Sequence, residues 1–214
     1  HDSVERFESL GVTVISEHAS FTGRREVASK NNNVRANYFV IATGSQPTIP
    51  PIDGLADTDF HTNETIFADP NKPDHLVIIG GGPIGIEMAQ AHVRLGVQVT
   101  VVEALSIMAR DDAELVARLK ERLQADGVRF IEGIGVSKVR QIQGREAQNN
   151  IRLILGDGTR LLASHLLVAT GRRAVTDGMN LHAAGVDVGK AGIVTDRRLR
   201  TSNKRIFAIG DVTG

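Results

Sequence analysis

The run Gly80-Gly81-Gly82-Pro83-Ile84-Gly85 separates two segments of different periodicity. Before it, Leu76-Val77-Ile78-Ile79 is continuously apolar, the pattern of a strand buried on both faces. After it, Ile84 to Leu95 reads as a helix, closed by Gly96 where a left-handed residue is favoured. Pro83 suits the first helical position, which needs no N–H. The run therefore fits G-x-G-x-x-G at a strand-to-helix turn. The first glycine permits the tight turn, the second lets a ligand approach the backbone, and the third lets helix and strand pack closely. A phosphate group would meet free N–H groups at the positive end of the helix dipole.

Residues 97–131 extend this pattern into a parallel α/β unit. Val97–Val102 is a second strand, and Glu103 ends it 18 residues past Gly85. A carboxylate there can accept hydrogen bonds from a ribose diol and would repel a 2′-phosphate. The order strand, glycine loop, helix, strand, acid points to nucleotide binding. A methyltransferase also uses a glycine loop and a strand-end acid, but the third glycine and the later hairpins argue against it. Asp111-Asp112-Ala113-Glu114 has a capping-box pattern. Leu115, Val116, Leu119 and Leu123 come next at helical spacing and read as core. Gly127 stops that helix, and Val128–Ile131 starts a third strand. Val136–Ile142, Ile151–Leu155 and Leu161–Ala163 then read as an antiparallel three-stranded meander, with the Asp157-Gly158 pair as its hairpin turn. Leu166–Thr170 is again apolar and ends at Gly171.

The flanks are β-rich. Val12–Ile15 and Ala19–Phe21 read as short strands. Tyr38–Ala42 is an apolar run expected to be covered on both faces and ends at Thr43-Gly44-Ser45. Residues 46–74 hold five of the six prolines and read as linker, with a turn near Glu64–Phe67. Ile206–Ile209 ends at Gly210-Asp211.

Composition removes several functions. No cysteine occurs among 214 residues, so the chain itself carries no disulfide, iron–sulfur cluster, thiolate zinc site or cysteine nucleophile. Lys and Arg total 25, as do Asp and Glu, so no net charge favours nucleic acid or an anionic membrane. Aromatic residues are 4% with no Trp, too few for a stacking platform on single strands. No apolar run reaches the ~20 residues that span a bilayer, and residues 1–15 lack a signal-peptide core, so a cytoplasmic protein is expected. His61, His75, His92, His165 and His182 show no metal-ligand spacing, and no metal ligands are expected. Glu87, early on the first helix, has a plain reading as an acid favoured by the helix dipole.

Four ordered motifs together resemble the flavin-dependent pyridine nucleotide–disulfide oxidoreductases, which include dihydrolipoamide dehydrogenase and mercuric reductase. Ala42-Thr43-Gly44-Ser45 resembles the family's first A-T-G. Val77 to Glu87 resembles its nucleotide loop and the Glu after it. Ala169-Thr170-Gly171-Arg172-Arg173 resembles its second A-T-G-R. Thr201-Ser202-Asn203-Lys204-Arg205-Ile206-Phe207-Ala208-Ile209-Gly210-Asp211 resembles its T-S-x-x-x-I-[YF]-A-x-G-D segment. The likeness covers essentially the whole chain. Two positions depart: Pro83, where relatives carry a larger side chain, and Ala174-Val175, which replaces Pro-Asn. The His61–Phe67 stretch, with Pro83, looks closer to the mercuric-reductase-like subgroup.

The resemblance implies a three-layer FAD/NAD(P)-binding fold. It implies a β-rich C-terminal part of the FAD-binding domain with linker over 1–72, an NAD(H)-binding domain over 73–190, and a return segment over 191–214. By the same resemblance, Gly80, Gly81, Gly82, Pro83, Ile84, Gly85, Glu87, Glu103, Val136 and Gly171 surround NAD(H). Ala19, Thr43, Gly44, Ser45, Gly210 and Asp211 contact FAD. No residue here matches the family's redox cysteine pair, its flavin pyrophosphate loop or its C-terminal His–Glu pair, and no catalytic residue is assigned. The resemblance thus leads us to expect a central fragment of a flavoenzyme that passes hydride from NADH to FAD and on to a disulfide or metal ion. Such a fragment would hold NAD(H) at best, keep FAD poorly, and come from a parent that dimerises through a domain lying elsewhere. The alternative is a stand-alone, non-catalytic NAD(H)-binding or redox-sensing module.

Overall fold

A computed structural model describes residues 3–142 and 150–214. In chain order the elements are α1 (Val4–Ser9), β1 (Ser20–Gly23), β2 (Glu26–Ala28), β3 (Asn33–Arg35), β4 (Phe39–Ile41) and β5 (Ser45–Pro47). Next come β6 (His75–Ile79), α2 (Pro83–Arg94), β7 (Gln98–Glu103), α3 (Ala113–Ala125), β8 (Arg129–Glu132) and β9 (Val136–Gln141). The last are β10 (Ile151–Leu155), β11 (Arg160–Ala163), β12 (His165–Val168), β13 (Arg172–Ala174), α4 (Leu181–Ala184) and β14 (Ile206–Ala208). The chain divides into two compact units, residues 47–172 and residues 1–46 with 173–214.

Unit 47–172 has three layers. Its centre is a parallel sheet in the order β12-β6-β7-β8. All five residues of β6 are buried, because the strand has neighbours on both edges and cover on both faces. Period-2 alternation divides its side chains. Leu76 and Ile78 pack with Ile86 and Ala89 of α2 and Leu123 of α3. Val77 and Ile79 pack with Leu153 and Leu155 of an antiparallel meander ordered β11-β10-β9. The glycines end the helices as read: Gly96 has φ +77° and Gly127 φ +105°, conformations that other L-residues enter only with strain.

Helix α3 departs from the sequence pattern in two ways. The cap is Asp112, whose carboxylate accepts from the N–H groups of Glu114 and Leu115, while Glu114 pairs with Arg118 instead of closing a capping box. Leu115 is 65% exposed, whereas Leu123 is fully buried. Residues spaced four apart drift around a 3.6-residue helix, so the stripe leaves the core at its N-terminal end.

Unit 1–46 with 173–214 has an antiparallel sheet β1-β2-β3 and a parallel pair β14-β4. Its core gathers Phe21, Ile41, Met179, Leu181, Ile193, Ile206, Ala208 and Val212. Phe21 and Phe39 meet edge to face at 5.4 Å. Buried Asn203 donates from its amide to the carbonyl oxygens of Ala184 (2.8 Å) and Arg24 (3.1 Å), tying the end of α4 and the β1–β2 turn to the segment before β14. Val12–Ile15 forms no strand; Val12 N donates to Phe7 O behind α1, a helix the apolar pattern does not predict. Tyr38–Ala42 is also not covered on both faces: Tyr38 is 64% and Val40 60% exposed.

Candidate nucleotide-binding site

The glycine loop lies at the carboxyl ends of the parallel strands, beside β6, where the chain order of the sheet reverses. That is the usual ligand crevice of such sheets. The three fingerprint glycines have separate reasons. Gly80 has φ +111°, and a Cβ there would lie 2.4 Å from the carbonyl oxygen of Ala169. A Cβ on Gly85 would lie 2.1 Å from the carbonyl oxygen of Gly80, so the helix can approach the strand only without one. Gly82 faces open space, with nothing within 4 Å of an added Cβ. It is the N-cap of α2, and no side chain caps this helix. The N–H groups of Ile84 and Gly85 are therefore available to an anion, while Ile86 N makes the first helical bond to Gly82 O (3.0 Å) and Pro83 fixes the helix entry. By contrast, α1 and α3 are capped by Ser3 and Asp112.

Glu103 ends β7 and is tied to this loop. Its Oε2 accepts from Gly81 N at 2.7 Å and its Oε1 from Leu105 N at 2.9 Å. Each carboxylate oxygen keeps a lone pair for a further donor. Gly81 itself is tightly enclosed: a Cβ would lie 2.7 Å from Ile107 Cγ2 and 3.2 Å from Glu103 Cβ. Val136 opens β9, next to Gly135, which abuts Ala104. Gly171 lies just past β12 with φ +128° and open space around it. Gly80 through Gly85, Glu103, Val136 and Gly171 thus collect at or beside the carboxyl edge of one sheet. Glu87 is exposed on α2, just past its first turn.

The second predicted set lies in the other unit. Thr43, Gly44 and Ser45 come directly after β4, and Gly210 and Asp211 come after β14, its parallel neighbour. The pairing brings the two ends together: Ser45 Oγ donates to Asp211 Oδ2 at 2.8 Å. Thr43 Oγ1 donates to Val175 O at 2.7 Å, and Val175 N donates to Gly44 O at 2.9 Å. Gly44 (φ +67°) and Gly210 (φ +74°) both have nothing near an added Cβ. Ala19 and Thr43 line a cavity of about 600 Å³, with Phe21, Val27, Phe39 and Met179 among its apolar walls. Glu17 also lines it. Hydrogen bonds from the Ser29 hydroxyl and from Asn31 hold the Glu17 carboxyl down to about 2, so it is ionised across the physiological range.

The remaining histidines divide. His75 is buried, with Nε2 2.9 Å from Thr100 Oγ1. His92 Nδ1 lies 2.8 Å from Met88 O, one turn back. His182 is exposed. His61 and His165, distant in sequence, lie together.

Known proteins share these features. The family described as pyridine nucleotide-disulphide oxidoreductase matches residues 3–214. A mercuric reductase of Streptomyces lividans is 40% identical over 183 residues, covering 84% of this chain and 38% of that protein. A dihydrolipoyl dehydrogenase of Thermus scotoductus is 30% identical over 210 residues, covering 94% of this chain and 44% of that protein. The HOCl-induced flavoprotein disulfide reductase RclA from Escherichia coli superposes with a TM-score of 0.89 at 29% identity, covering 98% of this chain and 49% of that one. The chain therefore spans less than half the length of these relatives. With a matched family over nearly every residue and the same α/β architecture, the chain belongs to the pyridine nucleotide–disulfide oxidoreductases.

Proposed function

We propose that this chain holds NADH at the glycine loop of unit 47–172 and part of FAD at the paired strand ends of the other unit. In the full-length enzyme it would serve electron transfer to a disulfide or metal-ion acceptor. When bound, the nicotinamide supplies a hydride and the flavin accepts it. The residues here bind and orient. The uncapped first turn of α2 takes the pyrophosphate. Glu103 takes the ribose hydroxyls. Thr43, Gly44, Ser45, Gly210 and Asp211 border FAD in this reading, as does the backbone at Ala19. Glu87 lies beside the nicotinamide in this reading. Without cysteine, the chain supplies no thiol to the reaction. It binds nucleotides and does not turn over alone. The single observation that carries the reading is the uncapped helix behind Gly82, joined through Gly81 N to the Glu103 carboxylate.

Calorimetric titration tests it. NADH is expected to bind at least tenfold tighter than NADPH, a difference of about 1.4 kcal/mol. The cause is that the Glu103 carboxylate accepts from a diol and repels a phosphate. Equal affinities would remove the NADH assignment. No NADH binding at all would remove the site.

A further inference from the structure

At the amino end of the same parallel sheet, about 13 Å from the glycine loop by strand register, three side chains converge. His165 opens β12, opposite Leu76 of β6. His61 is held beside it by backbone bonds, His61 N to Leu166 O (2.7 Å) and Val168 N to His61 O (2.8 Å). The two imidazoles stack with centroids 5.9 Å apart and planes 14° from parallel. Asp69 lies between their tips. Its Oδ2 is 3.0 Å from His61 Nε2 and 3.3 Å from His165 Nε2. The three atoms all lie within 4.8 Å of one another. We propose that His61 Nε2, His165 Nε2 and Asp69 Oδ2 form a site for one divalent transition-metal ion of the zinc class, separate from the nucleotide loop.

The donor set fits that ion. Two imidazoles and one carboxylate, with water in the fourth position, make an open tetrahedral zinc site. Bonds near ~2.0–2.1 Å place tetrahedral ligand atoms about 3.4 Å apart, close to the two Asp-to-His separations. The ligands are also held from behind, as metal ligands usually are. Asp69 Oδ1 accepts from Asn71 N (2.8 Å) and Asn71 Nδ2 (3.1 Å), which turns Oδ2 to the histidines. Ser164 Oγ lies 3.0 Å from His165 Nδ1 and 3.1 Å from His75 O. Ser164 Oγ also accepts from Asp74 N (3.0 Å) and His75 N (3.1 Å), which fixes it against the His165 ring. Room for coordinated water exists: the cluster borders a cavity of about 490 Å³ whose walls include Asp59, Gln141 and Asn150.

The competing arrangement is a carboxylate that only accepts two imidazole N–H bonds. Titration of the untagged 214-residue chain with Co(II) and Zn(II) chloride distinguishes them. One Co(II) per chain with an intense visible tetrahedral spectrum, displaced by Zn(II), is expected. Asp69→Asn and His165→Gln should each weaken binding at least tenfold while leaving far-UV circular dichroism and NADH affinity unchanged. His165→Cys should keep Co(II) binding and add a thiolate-to-cobalt charge-transfer band, a readout that a purely structural histidine would not give. Absence of stoichiometric Co(II) binding to the wild type overturns the site. So does binding that persists unchanged in both weakening variants, which would assign it to other histidines.

Discussion

Strands β6 and β4 carry the same kind of sequence and have different fates. Leu76-Val77-Ile78-Ile79 and Phe39-Val40-Ile41 are both apolar runs that end in glycine-bearing turns. Leu76, Val77 and Ile78 are 0% exposed, while Val40 is 60% exposed. The cause is tertiary. β6 lies between β12 and β7, with α2 on one face and the meander on the other. β4 pairs with β14 alone among the described residues. An apolar run specifies that a strand can be buried on both sides; its neighbours decide whether it is.

The difference is easiest to break through core substitutions. Leu167→Ala, at a fully buried position of β12, is expected to cost about 2–5 kcal/mol in urea unfolding. Val40→Ala in β4 should cost under about 0.5 kcal/mol, as surface changes do. Comparable losses at the two positions would erase the distinction between the units.

A second contrast lies within the glycine loop. Gly85→Val would drive a side chain into the Gly80 carbonyl oxygen and should reduce NADH affinity by at least about tenfold, or 1.4 kcal/mol. Gly82→Ala enters open space with φ −75°, so urea stability should stay within about 0.5 kcal/mol of wild type while NADH affinity falls. Loss of stability at Gly82 would show that its role is packing instead of access.

Acid sensitivity should trace to the well-cored unit. Burial pushes the His75 imidazole below its ordinary 6.5, against a hydrogen bond from the ring to Leu162 O that pulls the other way. Above pH 6.5 neither the folded nor the unfolded chain protonates this ring. As pH falls through 6.5, the unfolded chain takes the proton first, so stability declines by up to about 1.4 kcal/mol per pH unit. The decline ends once the folded-state value is passed. His75→Gln should flatten that part of a stability-versus-pH curve measured by urea unfolding. The smallest effect is expected at Leu115→Gln, under about 0.5 kcal/mol, because that side chain faces solvent.

Local chemistry makes much of this fold legible in the sequence. Gly80, Gly96, Gly127 and the Asp157-Gly158 turn act through their own backbone geometry, and Gly85 through the close approach of its helix to the Gly80 carbonyl, and each lies where its residue type requires. The strand-end residues Glu103 and Asp211 are reachable from motif spacing; Asp211's bond to Ser45 is not, since it depends on β4 and β14 pairing in parallel. Helix α1 is hidden because it buries no residue and so leaves no apolar periodicity. The His61–Asp69–His165 cluster is hidden for the opposite reason. His61 and His165 meet only through the bridge between His61 and Leu167, and sequence spacing carries no trace of it.

Hydrogen exchange with and without NADH tests the central claim most directly. Without nucleotide, the amides of β6, β7 and β12 should exchange most slowly, and those of β4 and β14 faster. Adding NADH should slow exchange at Gly80–Ile86 and leave Thr43–Ser45 and Gly210–Asp211 unchanged. A nucleotide-induced gain confined to the latter segments, or none at the glycine loop, would contradict the account.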